Sequence, residues 1–141
     1  MRTSIKTFVV AAAGFALALC AAVAAAHHSA AQFDFQQRVT VEGTVKEFNV
    51  TNPHTWAVVE ITDAKRGTRD AQYEGHSASH FYRAGYTRDM VKVGDKIAIL
   101  IAPRRDGEDG GFIQAFTVNG KTVGFGGLSP ETGQRTSAAS Q

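Results

Sequence analysis

Apolar and polar residues alternate with a period of two along most of the chain from Arg38 to Val118, a pattern typical of half-buried β-strands. Over Arg38–Val50 the alternation changes phase by Phe48. A β-bulge near Gly43 or Glu47 would cause such a shift. The pattern therefore predicts one long, bent first strand.

Four further strands are predicted from the same alternation and from turn residues between them. Asn52-Pro53 predicts a turn, because proline fixes φ and asparagine favours turns. The strands are expected at 54–63, 69–76, 96–102 and 111–118. From Ser77 to Val91 the alternation stops, and the spacing of large residues favours one or two short helical turns interrupted at Gly85.

This order of elements predicts an all-β fold: a small five-stranded OB-like antiparallel barrel with one short helical segment between strands three and four. Another small antiparallel barrel or a sandwich is the alternative. The domain spans 38–123, after an N-terminal arm at 27–37 and before a Gly- and Ser-rich tail at 124–141 that is expected to be disordered. The predicted core residues are Val41, Val45, Val59, Ile61, Ile97, Ile99, Phe112 and Phe116.

The first 26 residues have the layout of a signal peptide. A short basic start is followed by an apolar run from Phe8 to Ala26 that ends in small residues, without a basic stop-transfer cluster. We expect export to the periplasm and no membrane attachment after cleavage. The alternatives are a retained anchor or a lipid-modified Cys20, although Leu19 is a poor residue to precede a lipidated cysteine.

The net charge and the absence of certain motifs argue against nucleic-acid binding and against some classes of enzyme. The chain has 15 Lys and Arg against 13 Asp and Glu, and loss of Arg2 and Lys6 with the signal peptide leaves 13 of each sign. A neutral protein lacks the basic surface that nucleic-acid binding requires, so no nucleic-acid partner is expected. The sequence contains no G-x-S-x-G motif and no phosphate-binding loop, which argues against an enzyme of those classes.

Several short motifs occur together: His27-His28-Ser29, Phe33-Asp34, Val41–Val45, Asn52-Pro53-His54 and Gly94-Asp95. In this combination the chain resembles an uncharacterised family of small exported bacterial proteins with a His-His-Ser mature start and an internal Asn-Pro-His. The resemblance implies export and a small β-domain. It implies no reaction, so it assigns no catalytic residue.

His27 and His28 are candidate metal ligands at the mature N-terminus. Cleavage after Ala26 would make His27 the first residue, whose amine and imidazole can both bind one metal. Cleavage after Ala25 or after Ala24 would each place a histidine third, where the amine, two deprotonated amides and the imidazole can surround Cu(II) or Ni(II). Every expected start could thus bind copper; the alternative is a solvated arm that binds it incidentally.

Three further histidines complete the candidate metal ligands. His54 follows the rigid Asn-Pro turn, and we expect it to add a third nitrogen to the N-terminal site, with Asp34 or Glu60 as supporting carboxylates. His76 and His80, with Glu74 beside them, form a possible second metal site. The expected cofactor is copper or another transition metal, and the alternative is that these are surface histidines that bind nothing.

The alternative function is a metal-free OB-like module. In that hypothesis a barrel face that carries Trp56, Tyr73 and Phe112 binds a periplasmic protein, a glycan or another small ligand, as OB-type barrels often do.

Signal cleavage yields the first testable prediction. The exported chain should begin between Ala25 and His27, because each of the small residues before these positions suits signal peptidase. Intact-mass spectrometry of protein purified from the periplasm measures the start directly. A mass that retains the apolar segment, or a lipid on Cys20, would contradict the expectation.

Overall fold

Five strands form a closed barrel in the computed structural model, which describes residues 31–132 and 134–135. They are β1 (Val39–Asn49), β2 (Thr55–Asp63), β3 (Gly67–Gly75), β4 (Lys96–Pro103) and β5 (Gly111–Val118). One short helix, α1 (Ala78–Arg83), lies between β3 and β4. The predicted all-β, OB-like barrel is confirmed. Three short elements follow: β6 (Lys121–Gly124), a 3-10 turn (Pro130–Thr132) and β7 (Gln134–Arg135).

The barrel closes because β1 pairs with two strands and β3 pairs with β5. β1 is antiparallel to β4 from Val39 to Thr44 and to β2 from Thr44 to Asn49. The β3–β5 pairing is parallel and short. β1 crosses so close to β2 that a Cβ on Gly43 would lie 2.4 Å from the carbonyl oxygen of Glu60. Glycine therefore permits the bend in β1.

A bulge in β1 is also confirmed. Val45 pairs with Val59 and Glu47 with Val58, which leaves Lys46 as the extra residue. Because the bulge shifts the side-chain alternation, Val45 is buried and Phe48 still packs against the core. The bend thus keeps both halves of β1 on the barrel interior.

The core contains most of the predicted residues: Val45, Val59, Ile61, Ile97, Ile99 and Phe116. Two predictions were wrong. Val41 is half-buried, since it lies in the half of β1 that leaves β2. Phe112 is half-buried, and Ile113 takes its place in the core, because the β4–β5 register shifts and β5 changes phase at Gln114.

Helix α1 closes one end of the barrel with aromatic side chains. Phe81 on α1 is fully buried, and its ring centroid lies 6.1 Å from Phe116 and 6.3 Å from Phe48. Tyr86, just beyond the helix, stacks on Phe48. A short helix with one buried anchor can hold this position because its aromatic partners come from two different strands.

The described parts of the predicted arm and tail contact the barrel. Phe33, expected in the arm, is 3% exposed and forms a β-bridge with Arg104. After Gly124 the chain is ordered: Thr40 donates a buried 2.5 Å hydrogen bond to the carbonyl of Pro130, and β7 pairs with β1. Long-range contacts of this kind cannot be inferred from a Gly- and Ser-rich composition.

The predicted signal peptide, residues 1–26, lies outside the described residues. Among those that are described, no helix is long and apolar enough to cross a membrane.

Ile99 should be a major contributor to stability. It is fully buried between Val41 and Phe116 on the neighbouring strands. Ile99→Ala is expected to lower the free energy of unfolding by about 2 to 5 kcal/mol, because it leaves a cavity in a small core. Urea denaturation measures the change. Val93→Ala, at a residue that is 73% exposed, is the control; a loss below about 1 kcal/mol for Ile99→Ala would contradict the prediction.

Candidate functional site

Four polar side chains meet where β2 begins and β3 ends. His54 directly precedes β2, Glu74 lies on β3, His76 follows β3, and His80 is on α1. The β2–β3 pairing places Thr55 opposite Gly75, and the Thr55 amide donates a 3.0 Å hydrogen bond to the His76 carbonyl. We call these four residues the histidine corner.

Glu74 is the buried charge of the histidine corner. Its side chain is 4% exposed, and one carboxylate oxygen contacts Nδ1 of His54, whose side chain is 35% exposed. A buried carboxylate is costly without a partner, so this contact compensates its desolvation. The pairing also holds the His54 ring in place and leaves its Nε2 atom as the free nitrogen.

His76 and His80 form the second pair of the histidine corner. Their rings stack with centroids 5.3 Å apart, and His80 Nδ1 lies 2.9 Å from the hydroxyl oxygen of Ser77. The His76 ring also packs edge-on against Phe112 and Phe125, at centroid distances of 4.9 and 4.5 Å. The spacing of four does not reflect a shared helix, since α1 begins only at Ala78. The stacking comes from the turn between β3 and α1.

Burial lowers the pKa of His76 below its usual value, and the positive charges of His80 and His54 lower it further. His76 is therefore a neutral imidazole at pH 7. A neutral imidazole has a lone pair that can bind a metal ion.

The described histidines do not form a ready-made metal site. Within residues 31–132 and 134–135, no group of three or more His, Cys, Asp or Glu side chains is arranged to hold a metal ion. The histidine corner consists instead of two contacting pairs, of which the exposed His80 has the most freedom to reorient. His27 and His28 lie outside the described residues, so their combination with His54 stays a prediction.

The two carboxylates expected to support His54 are engaged elsewhere. Asp34 accepts hydrogen bonds from Gln36 and Gln37, and Glu60 pairs with Lys46 at 2.8 Å. Glu74 supports His54 instead. β2 and β3 pair without interruption from Asp63, which faces Gly67 at the turn, to the other end of the hairpin. This register places Glu74 opposite Trp56, two residues after His54. Counting the β2–β3 pairs back from the turn would have predicted this contact from the sequence alone.

The predicted ligand face does not form as one surface. Trp56 and Phe112 are the cross-strand neighbours of Glu74 on the outside of the barrel, and Trp56 is 46% exposed. Tyr73 is 1% exposed and belongs to the core. Because adjacent residues of a strand point to opposite faces, Tyr73 and Glu74 cannot share one.

A groove with a volume of about 1340 Å³ lies at the barrel end away from α1. Sequence reasoning missed it. It runs between the first half of β1, the β2–β3 turn and the loop before β5. Arg69 crosses its rim and binds Asp109 with both Nε and Nη2, which lowers the pKa of that carboxyl below its usual value. We call it the open-end groove.

Comparison with known proteins identifies one match. Residues 15–114 match a family model described as a family of unknown function (DUF6152). No curated protein and no solved structure matches the chain.

The environment of His76 predicts its titration. His76 should titrate below the usual histidine value of about 6.5, and His80→Ala should raise its pKa because a neighbouring positive charge is removed. Imidazole NMR shifts followed against pH measure both. Arg83→Ala removes an exposed charge from the same helix and should leave the His76 pKa unchanged. Titration of His76 at or above the usual value would contradict its burial.

Proposed function

We propose that this chain, which belongs to the DUF6152 family of unknown function, is an exported binding protein for a transition-metal ion, with copper as its preferred metal. The observation that carries the proposal is the occurrence of two contacting pairs, His54 with Glu74 and His76 with His80, where β2 begins and β3 ends. Three of the five histidines in the chain thus lie in one corner of a small barrel.

The hydrogen bonding of the histidine corner suits metal binding through Nε2. Histidines that bind metals commonly hold a carboxylate or another acceptor with the second ring nitrogen, which fixes the tautomer and the orientation of the ring. His54 contacts Glu74 through Nδ1, and His80 contacts Ser77 through Nδ1. Glu74 therefore has a supporting role, and the three histidines are the proposed ligands.

The ligand chemistry favours copper. The only cysteine of the sequence, Cys20, precedes the expected cleavage site, so a mature chain offers nitrogen and oxygen ligands alone. Among divalent first-row metals, such sites bind Cu(II) most strongly. The ion would draw the exposed His80 toward His54 and His76, a side-chain rotation that costs little at the surface. A half-exposed site also suits capture and release of the ion.

The expected copper ligands at the mature N-terminus enter this proposal as a separate set. His27 and His28 with a free amine can bind Cu(II) without the barrel. Copper binding by the N-terminal histidines and by the histidine corner must therefore be tested separately. A mature protein with His27→Ala and His28→Ala lacks the N-terminal imidazoles and retains the histidine corner.

Competition titration with Cu(II) tests the proposal. In the His27→Ala, His28→Ala background, one Cu(II) should bind, and His76→Ala or His54→Ala should weaken it about tenfold or more, the scale of losing a group at a metal site. Gln72→Ala is the matched control, because Gln72 is an exposed, non-ligating residue two positions before Glu74 on the same face of β3. Electron paramagnetic resonance should show imidazole nitrogen couplings that decrease in His76→Ala.

Two results would contradict the proposal. Absence of Cu(II) binding in the His27→Ala, His28→Ala background would assign all copper binding to the N-terminus. Equal affinity in the His54→Ala, His76→Ala and Gln72→Ala variants would mean that the ion binds elsewhere. The metal-free binding module would then be the better hypothesis.

A further inference from the structure

The open-end groove has no role in metal binding, since no residue of the histidine corner lines it. We propose that the open-end groove binds a small uncharged molecule with an apolar body and a carbonyl oxygen, and that the Tyr73 hydroxyl donates a hydrogen bond to that oxygen. This site is independent of the proposed copper site. Three features of the groove support the proposal: its apolar lining, its unpartnered donor and the ion pairs on its rim.

The apolar lining follows from the bend in β1. The pairing of β1 with β2 begins only at Thr44, so the preceding half of β1 and the end of β2 leave a space between them. Side chains that elsewhere form the core therefore line this space. They are Val39, Val41, Ile61, Ile97 and Ile101. An apolar ligand would cover these side chains, as neighbouring core residues cover the equivalent side chains in the closed half of the barrel.

Tyr73 supplies a polar group in this apolar lining. The residue is 1% exposed, and no hydrogen bond joins its hydroxyl to another group among the described residues. Burial raises the pKa of Tyr73, so the hydroxyl stays protonated and remains a donor. Because Tyr73 lines the groove, its hydroxyl is accessible from that space, and a ligand oxygen there would accept a hydrogen bond from it. A carbonyl oxygen is the acceptor that matches a phenol donor.

Eleven of the 28 residues that line the groove are charged, and several of them form ion pairs on its rim. Arg69 binds Asp109 and Asp63, and Arg66 Nη2 lies 2.7 Å from Asp109. Two arginines thus face two aspartates. The nearest charges that act on Tyr73 are Arg69 and Asp109, which have opposite signs. Because these two charges oppose each other, neither a cation nor an anion is favoured beside the Tyr73 hydroxyl, which suits an uncharged ligand group at that position.

The neutral naphthalene ketone prodan tests the proposal, because its emission moves to the blue in an apolar site. The mature protein, with EDTA present to remove metal ions, should give a saturable blue shift. Tyr73→Phe, which deletes only the hydroxyl, should weaken binding about three- to tenfold, the scale of one hydrogen bond. Val41→Trp should weaken binding, because the indole takes up space among the apolar side chains of the lining. Val58→Trp on β2, outside the groove lining, and His76→Ala should bind prodan as the unmutated protein does.

Failure of either part would overturn the proposal. No saturable shift would exclude the site, and equal affinity for Tyr73→Phe and the unmutated protein would exclude the hydrogen bond. Circular dichroism checks that each variant folds. If Val41→Trp does not fold, methyl NMR of the unmutated protein decides: shifts of Ile61, Ile97 and Ile101 on adding prodan support the groove, and shifts confined to other methyl groups overturn it. Copper titration of Tyr73→Phe should be unchanged, so this proposal and the metal proposal can fail separately.

Discussion

The bend of β1 at Gly43 is the constraint on which the rest of the molecule depends. One strand must pair with β4 along its first half and with β2 along its second half, and a Cβ at the crossing would collide with the Glu60 carbonyl. The bend closes the barrel and removes unpaired edges at the closed half. The same bend separates β1 from the end of β2 and so creates the open-end groove. Closure at one end and a concave site at the other are therefore consequences of one backbone feature.

The two ends of the barrel consequently differ in chemistry. At the α1 end, aromatic rings fill the interior and the polar groups lie outside, where His54, Glu74, His76 and His80 meet. At the other end, apolar side chains face a groove whose rim carries balanced ion pairs. Metal binding needs neutral nitrogen ligands near a surface, whereas an apolar ligand needs apolar side chains around it. The α1 end offers the neutral imidazole of His76, and the open-end groove offers a group of apolar side chains beside ion pairs.

Buried polar groups mark both proposed sites. Glu74 is compensated by His54, and this contact fixes a ring that would otherwise rotate at the end of a turn. Tyr73, one residue earlier on β3, points into the barrel and has no protein partner for its hydroxyl among the described residues. Because side chains alternate along β3, Tyr73 points toward the open-end groove and Glu74 toward the histidine corner. A buried carboxylate is costly, so the presence of Glu74 needs a functional explanation more than that of an exposed residue does.

The sequence by itself determined the local features. Its period-two alternation located five strands, the loss of alternation after Ser77 located the short helix, and the shift near Phe48 located the bulge, because side-chain periodicity is a local property. The sequence also named His54, Glu74, His76 and His80 as candidates. Only the tertiary structure decided that Phe33 and Pro130 pack on the barrel and that Gln114 shifts the phase of β5. Those outcomes depend on strand register and on contacts between residues far apart in the chain. Closure of the barrel sets both, and a local sequence pattern does not contain them.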